Sequence, residues 1–291
     1  MLPSHDRFDY SPITERPQFT WPGGGTLAVY VAVNCEHFAY GATDLGYTPG
    51  GQSPDTYNWA WREWGNRVGA FRLADTLREV GIRPTVLVNA EIYDHAPQVV
   101  EALRVLGGEV VAHGRTNSRI PVVQGEDEER RSIEHVRAVI EQHEGAAPRG
   151  WMSPGAAPSA VTEDLLAENG FDYTLDWPVD DRPVWLRTRS RPILSVPYPH
   201  EINDLPVIVH HHGTGRDFAD RIVDTVDELS EQSRQQSVVL SISTHTFLTG
   251  QPDRLRHFRR ALHHVVETPG VWLTTPGDIA DHYRTIEPPP T

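Results

Sequence analysis

The sequence predicts an α/β fold in the form of one barrel of seven to eight parallel strands. Two observations predict it. Short apolar runs alternate with amphipathic helical patterns along the chain, and no linker, repeat or change of composition divides its 291 residues. Strands and helices in strict succession indicate a parallel sheet with crossover helices. We therefore predict a single domain over residues 1–291, in which residues 1–20 form an extended arm.

The first strand is predicted at residues 26–34, "TLAVYVAVN", because a continuous apolar run is typical of a strand covered on both faces. Residues 39–65, rich in Gly, Pro, Asn and Trp, predict a loop. Residues 66–81 predict a helix that Gly81 ends. The alternation continues with strands at 84–89, 109–112, 148–152, 172–177, 193–198, 206–210, 237–243 and 271–275, and helices at 97–106, 126–143, 159–169, 218–233, 252–266 and 276–283.

The composition excludes several classes of partner. The chain has 26 basic and 40 acidic residues, a formal net charge of −14, so its surface repels phosphate groups, and we expect neither nucleic acid nor membrane as a partner. The one cysteine, Cys35, excludes an intrachain disulfide and a multi-cysteine zinc site. The first 25 residues lack a signal-peptide pattern, which predicts a cytoplasmic protein.

Polar groups able to do chemistry follow the ends of five predicted strands, where the active site of a barrel is expected. Glu36 and His37 follow the first strand; both can face one site only if the strand's pleat relaxes there. His113 and Asn117 lie four residues apart and meet if their loop makes one helical turn. Each group taken singly has an ordinary structural explanation, but together they indicate a site. The third strand end carries Arg149, Trp151 and Ser153, the fourth carries Asp176 and Trp177, and the fifth carries His245.

Other residues leave alternatives open. The histidines at positions 210–212 point in different directions, so at most one or two could share a metal. Trp59, Trp61 and Trp64, together with Trp151 and Trp177, either form flat apolar walls of a pocket or pack within loops. An anionic substrate would be repelled by the acidic surface, and Arg67, Arg115 or Arg149 could offset that repulsion.

The order of these motifs resembles the polysaccharide deacetylase superfamily, the NodB-homology fold, over roughly residues 21–283. The resemblance implies a distorted (β/α) barrel in which Glu36 is the general base and His245 the general acid. It places His37, His113 and Asn117 at the metal-ligand positions. The family has aspartate where this chain has His37 and histidine where it has Asn117. The cofactor implied is therefore a divalent metal, with zinc the first choice, or none.

Two segments, "TWPGGGTLAVYVAVNCEHFAYG" and "SVPYPHEINDLP", resemble the cofactor-independent allantoinases and the related cyclic imide hydrolases. Those enzymes are cytoplasmic, oligomeric and act on small cyclic amides, so the resemblance implies a small-molecule substrate and a homo-oligomer, dimer or tetramer. The second segment contains Asn203 and Asp204. The first motif of that branch is Glu-Glu, whereas this chain has Glu36-His37.

The first function hypothesis is a hydrolase of a non-peptide carbon–nitrogen bond in a small amide or imide, cyclic or open. Glu36 would activate water and His245 would protonate the leaving nitrogen. The alternatives are a metal-dependent N-deacetylase of a sugar or small acetamide, and a catalytically inactive oligomeric binding protein. The predicted substrate-binding residues are Arg149, Trp151, Ser153, Asp176, Trp177 and Asn203.

Overall fold

The computed structural model describes residues 5–41 and 54–290. Within them, nine strands form one curled sheet with helices packed against it, which confirms the predicted barrel class. The strands are β1 (Leu27–Cys35), β2 (Thr85–Val88), β3 (Glu109–Ala112), β4 (Gly150–Trp151), β5 (Tyr173–Thr174), β6 (Val184–Leu186), β7 (Ile193–Ser195), β8 (Val238–His245) and β9 (Val271–Leu273). The sheet order is β6-β7-β5-β4-β3-β2-β1-β8, and β9 pairs with the start of β1.

The strand β1 is buried along its whole length, as its continuous apolar run predicts. Its alternate residues face opposite sides of the sheet. Val29, Val31 and Val33 pack in the larger core against the helices, whereas Ala28 and Tyr30 pack in a second core inside the curl of the sheet. The central strand is thus held from both sides.

The parallel register brings several strand ends to one edge of the sheet. Residues Cys35, Val88, Ala112 and Trp151 lie in one row across β1 to β4, and Asn34 lies opposite His245 of β8. The residues that follow this row therefore emerge at the same level. They are Glu36, Asn89, His113 and Met152.

The helices found among the described residues are α1 (Thr56–Trp64), α2 (Ala70–Val80), α3 (Ile92–His95), α4 (Pro97–Arg104), α5 (Glu126–Glu144), α6 (Thr162–Glu168), α7 (Gly215–Gln232), α8 (Pro252–Glu267) and α9 (Pro276–Ile286). The predicted helices other than that of residues 66–81 agree within a few residues. None of these helices has the length and apolarity that crossing a bilayer requires.

The predicted loop at residues 39–65 is wrong over its last third, where α1 lies. The Asp55 carboxylate accepts the N–H of Asn58 at 3.1 Å and so caps the start of α1. A π-helical turn, Gly65–Gly69, then joins α1 to α2. A Cβ at Gly69 would lie 2.0 Å from the carbonyl oxygen of Thr246, so this turn packs too closely for a side chain. Residues 42–53 of the predicted loop lie outside the described residues.

Two further sequence predictions need correction. Residues 206–210, predicted as a strand, form a π-helical turn that begins at Pro206. The strand β6 was not predicted, and it pairs antiparallel with β7, so the sheet is not wholly parallel. Of the predicted N-terminal arm, residues 5–20 contain one short 3-10 turn, Ile13–Glu15, and residues 1–4 lie outside the described part of the chain.

Candidate active site

A pocket of about 430 Å³ opens at the sheet edge where β1, β3 and β8 end. Glu36, His113 and His245 lie in its lining and are all buried. The Nε2 atom of His113 lies 3.5 Å from Oε1 of Glu36, and Nε2 of His245 lies 3.6 Å from the same oxygen. The structure thus places one carboxylate between two imidazoles, all three on strand ends that the sequence indicated.

Hydrogen bonds from behind orient both imidazoles. The Nδ1 of His113 lies 2.7 Å from the carbonyl oxygen of Met152, and Nδ1 of His245 lies 2.7 Å from Oδ1 of Asp204. A carbonyl or carboxylate oxygen only accepts, so each Nδ1 carries a proton and each Nε2 faces Glu36. The other oxygen of Asp204 accepts the N–H of His245 at 2.9 Å and the Thr249 hydroxyl at 2.5 Å.

Two asparagines hold the carboxylate of Glu36 from the side. The Asn117 side-chain amide donates to Oε1 of Glu36 in a short hydrogen bond. Its own oxygen accepts from the Asn89 side chain at 2.9 Å, and the Asn89 oxygen accepts the backbone N–H of His37 at 2.8 Å. Asn117 therefore presents an N–H group to Glu36, and its oxygen is directed away from the pocket.

The electrostatics separate the proton affinities of Glu36 and His245. Burial by itself would raise the pKa of Glu36, but His245, His113 and Arg62 together hold that pKa below its ordinary value. Burial would lower the pKa of His245, but the carboxylates of Glu36 and Asp204 raise it above its ordinary value. Near neutral pH the pair is a carboxylate and an imidazolium, which are the protonation states of a general base and a general acid.

The predicted metal residues do not converge. The His37 ring faces away from the pocket and lies 4.6 Å, centroid to centroid, from His95, whose Nε2 contacts Glu63 at 2.9 Å. Glu36 and His37 follow the last residue of β1, and Glu36 lines the pocket whereas His37 does not. Asn117 offers N–H to Glu36 rather than oxygen to a cation. In the described ranges, no group of three or more His, Cys, Asp or Glu is arranged to hold a metal. These residues therefore do not fit the metal set of the deacetylase motif.

Of the predicted substrate-binding residues, Asn203 lines the pocket. Ser153 and Asp176 lie behind it: the backbone N–H and the hydroxyl of Ser153 each donate to Asp176 at 2.7 Å. Burial raises the pKa of Asp176 to about 6. This pair fixes the loop after Met152, whose carbonyl orients His113. Ser153 and Asp176 thus position the site without lining it.

The predicted tryptophan walls lie elsewhere. Trp151 is buried in the core against Phe171, and Trp177 packs edge-on to Phe8 of the N-terminal arm. Trp59, Trp61 and Trp64 are also outside the described lining. The apolar side chains that line the pocket include one phenylalanine, Phe38, and the non-aromatic residues Ile120, Met152, Leu205 and Pro206.

Four residues of the site were not assigned a role from the sequence. Asp204 orients His245, and Asn34 lines the pocket and donates to the Tyr198 hydroxyl at 3.2 Å. Asn89 follows the end of β2, so the expectation that polar residues after strand ends form the site could have identified it. Arg62 also lines the pocket, but it lies on α1, within the segment predicted as a loop.

Arg149 precedes β4 and so lies at the opposite end of the sheet from the pocket. Its guanidinium contacts Asp172 at 2.9 Å and also contacts Asp281 of α9. We expect Arg149→Gln to leave kcat/KM within about twofold, and to lower the free energy of unfolding by roughly 1 kcal/mol or less, because these ion pairs are partly exposed. Steady-state kinetics and urea unfolding check this. A tenfold loss of kcat/KM would return Arg149 to the site.

Comparison with known proteins agrees with this fold. A family model described as polysaccharide deacetylase matches residues 48–174. A Schizosaccharomyces pombe protein assigned provisionally as a polysaccharide deacetylase is 26% identical over 95% of each chain. A solved structure from Pseudomonas aeruginosa PAO1 with the same provisional assignment has a TM-score of 0.84 and 25% identity, covering 94% of this chain and 96% of that one. The solved PuuE allantoinase has a TM-score of 0.86 and 25% identity, covering 97% and 99%.

The fold and these similarities define a hydrolase that acts on carbon–nitrogen bonds other than peptide bonds, as predicted. The match of residues 48–174 to the polysaccharide deacetylase family model and the likeness to these structures confirm the resemblance of the motifs.

Proposed function

We propose that this protein hydrolyses a carbon–nitrogen bond in a small cyclic amide or imide, with Glu36 as general base and His245 as general acid. The observation that carries the proposal is the buried Glu36–His245 pair, 3.6 Å apart, with Asp204 directly behind the histidine. The pair supports a base that accepts a proton and an acid that gives one within the same pocket.

The reaction follows from the protonation states. A water molecule beside Glu36 transfers a proton to its carboxylate as the water oxygen attacks the amide carbon. The Nε2–H of His245 gives its proton to the ring nitrogen as the carbon–nitrogen bond breaks. The ring opens to an acid and an amine or amide, and the proton on Glu36 returns to solvent while His245 is reprotonated. Asp204 stabilises the imidazolium throughout, since it accepts from Nδ1.

The polar atoms that face the pocket can bind a ligand that donates hydrogen bonds. Glu36 Oε2 and His113 Nε2 are buried and have no hydrogen-bond partner among the described residues. Oε2 of the ionised Glu36 carboxylate is an acceptor, so a water molecule or a substrate N–H group can donate to it. A buried acceptor without a hydrogen-bond partner lowers the stability of the protein, and a bound water molecule or substrate would remove that cost.

The size of the pocket supports a small substrate. Its volume of about 430 Å³ is at the lower end of the range for small-molecule sites, roughly 300 to 1,000 Å³. The similarity to an allantoinase over nearly the whole chain supports a ring amide in particular. The further expectations of a homo-oligomer and a cytoplasmic location stay predictions.

The pKa shifts predict a bell-shaped pH profile of kcat/KM. Activity requires Glu36 ionised, and its pKa is lowered, so the acid limb lies below the ordinary glutamate value of about 4.3. Activity also requires His245 protonated, and its pKa is raised, so the alkaline limb lies above the ordinary histidine value of about 6.5. Initial rates between pH 4 and pH 9 check this. An alkaline limb below the ordinary histidine value would contradict the assigned acid.

The test of the proposed function is a substrate panel combined with metal analysis. Purified protein is assayed on five- and six-membered cyclic imides and lactams and on N-acetylated sugars, before and after chelation, and its metal content is measured. We expect ring opening of at least one cyclic substrate. Turnover confined to N-acetylated sugars, with stoichiometric metal and loss of activity on chelation, would favour the metal-dependent N-deacetylase that the family match also supports.

A further inference from the structure

Amide hydrolysis places a negative charge that the base and the acid do not stabilise. When water attacks the amide carbon, the carbonyl oxygen becomes an oxyanion, and enzymes bind such an oxyanion with fixed hydrogen-bond donors. Glu36 takes the proton of water and His245 protonates the nitrogen. Asn117 donates to Glu36, and Arg62 donates to the carbonyl of Asn58 at 3.4 Å. A further donor within the pocket is therefore expected.

Tyr198 is a buried hydroxyl in the lining of this pocket. Its side chain is 2% exposed, and it lines the same pocket as Glu36 and His245. Asn34 connects it to the reaction centre. Asn34 lies in register with His245 on the neighbouring strand, and residues in register point to the same face of the sheet. The Asn34 side chain donates to the Tyr198 hydroxyl at 3.2 Å.

The neighbours of Tyr198 leave its hydrogen available to a ligand. Nδ2 of Asn34 also donates to the Thr244 carbonyl at 3.0 Å. A carbonyl only accepts, so the group between them is the NH₂, and the Tyr198 oxygen accepts its second hydrogen. Burial raises the pKa of Tyr198 to about 12, and hydrogen bonds from Ser243 and Asn34 act in the opposite direction. Hydrogen bonds that lower the pKa of a phenol are donated to its oxygen. Tyr198 is therefore a neutral donor at physiological pH.

The backbone around Tyr198 is fixed before any ligand binds. Pro197 and Pro199 flank it, and each proline ring restricts the backbone. The Tyr30 hydroxyl donates to the carbonyl of Pro197 at 2.7 Å, and the N–H of Val196 donates to the β5 strand at 2.9 Å. A donor held in this way loses little freedom when charge develops next to it, which is the property of an oxyanion site.

Asn203 is the other buried donor of the lining to consider. Its oxygen accepts the N–H of Leu205 at 3.0 Å, so its NH₂ group remains for a ligand. A phenol is the more acidic of the two groups and donates more strongly to an anion. Three further donors of the described lining are more exposed: Ser118, His200 and His210. Tyr198 is thus the donor best suited to an oxyanion in this pocket.

We propose that the Tyr198 hydroxyl donates to the carbonyl oxygen under attack and stabilises the oxyanion, which makes Tyr198 a third catalytic residue beside Glu36 and His245. The inference rests on the proposed function and adds a group to the same site. The hydrogen stays on the phenol while the tetrahedral intermediate forms and collapses, so Tyr198 neither gains nor loses a proton in the reaction.

The experiment is Tyr198→Phe, which removes one oxygen atom and keeps the ring. We expect kcat to fall on the order of 10²-fold, as for the loss of an oxyanion donor in other enzymes. KM should stay within about threefold, because the hydrogen bond strengthens mainly in the transition state. Both limbs of the pH profile should stay in place, because Tyr198 does not titrate between them. Initial rates between pH 4 and pH 9 measure all three.

The matched control is Tyr173→Phe. Tyr173 is also fully buried, and its hydroxyl donates to Glu109 at 2.8 Å, outside the described pocket lining. This variant should keep the kcat and KM of wild type, and thermal unfolding shows whether each variant is folded. Equal losses in both variants, or a Tyr198→Phe protein within fivefold of wild type, overturn the inference. A loss in Asn203→Ala but not in Tyr198→Phe would place the oxyanion at Asn203 instead.

A binding measurement separates failure of this inference from failure of the proposed function. A five-membered cyclic phosphinate has an anionic tetrahedral phosphorus that resembles the intermediate, and calorimetry follows its binding without turnover. We expect binding to Tyr198→Phe to be at least tenfold weaker than to wild type or to Tyr173→Phe. Where no amide of the panel is hydrolysed, the proposed function is contradicted, and this difference still supports the role of Tyr198. Equal binding, or none, excludes that role. Hydrolysis that Tyr198→Phe leaves unchanged excludes it too, while the proposed function stands.

Discussion

We expect replacement of Glu36 by glutamine to abolish nearly all turnover and to leave the protein folded. Glutamine has the same shape but cannot take a proton from water, so the loss measures general-base catalysis, on the order of 10³-fold in kcat. KM should change little, because the substrate meets a side chain of the same size. Stopped assays at high protein concentration, on the best substrate of the panel, would measure the residual rate.

A matched control for this variant is Glu163→Gln. Glu163 is also a buried glutamate, but it lies on α6 and outside the described pocket lining. Burial, and then the nearby Asp176, raise the pKa of Glu163 to about 8, so it is mostly protonated at neutral pH and glutamine resembles its native state. This variant should keep wild-type activity. Equal loss in both variants, or a Glu36→Gln protein within tenfold of wild type, would remove Glu36 from the role of base.

The second large effect is expected from Asp204→Asn. One oxygen of Asp204 accepts two hydrogen bonds, from the His245 N–H and the Thr249 hydroxyl. The asparagine oxygen will occupy that position, and its NH₂ group will then face Nδ1 of His245. The histidine must give up its Nδ1 proton, and the imidazolium is no longer stabilised. We expect kcat to fall by roughly 10²-fold or more.

The same change predicts a shift in the pH profile that a general loss of structure would not produce. The Asp204 carboxylate helps to raise the pKa of His245, so the alkaline limb should move to lower pH in Asp204→Asn. At the acid limb His245 is protonated in the variant too and still lowers the pKa of Glu36, so the bell should narrow mainly from its alkaline side.

The control for Asp204→Asn is an aspartate–histidine pair at the surface. Asp227 contacts Nε2 of His264 at 2.6 Å, and both side chains are partly exposed. Asp227→Asn removes the same chemical contact far from the pocket and should change neither kcat nor the pH limbs. An unchanged alkaline limb in Asp204→Asn would show that His245 is not the acid that titrates.

Patterns local to the chain determined most of the fold and the centre of the site. The continuous apolar run of β1 predicted a strand buried on both faces, and amphipathic periodicity placed most helices within a few residues. Glu36, His113 and His245 were predicted because each follows an apolar run, and parallel strands bring their carboxyl ends to one edge. No side-chain geometry was needed for that step.

The tertiary structure decided the direction of each side chain and the contributions from distant segments. His37 was grouped with Glu36 by adjacency, but its ring lies beside that of His95 and not in the pocket lining. Arg149 was predicted beside the substrate, but it lies before its strand and therefore at the amino end of the sheet.

Asp204 and Arg62 lie in or beside segments whose local structure was predicted wrongly. The residues just after Asp204 were predicted as a strand and form a π-helical turn. The segment that contains Arg62 was predicted as a loop and forms a helix. Asp204 lies 41 residues from His245 along the chain. Periodicity reports which faces of an element are apolar, whereas a contact between distant segments depends on packing, which only the folded chain contains.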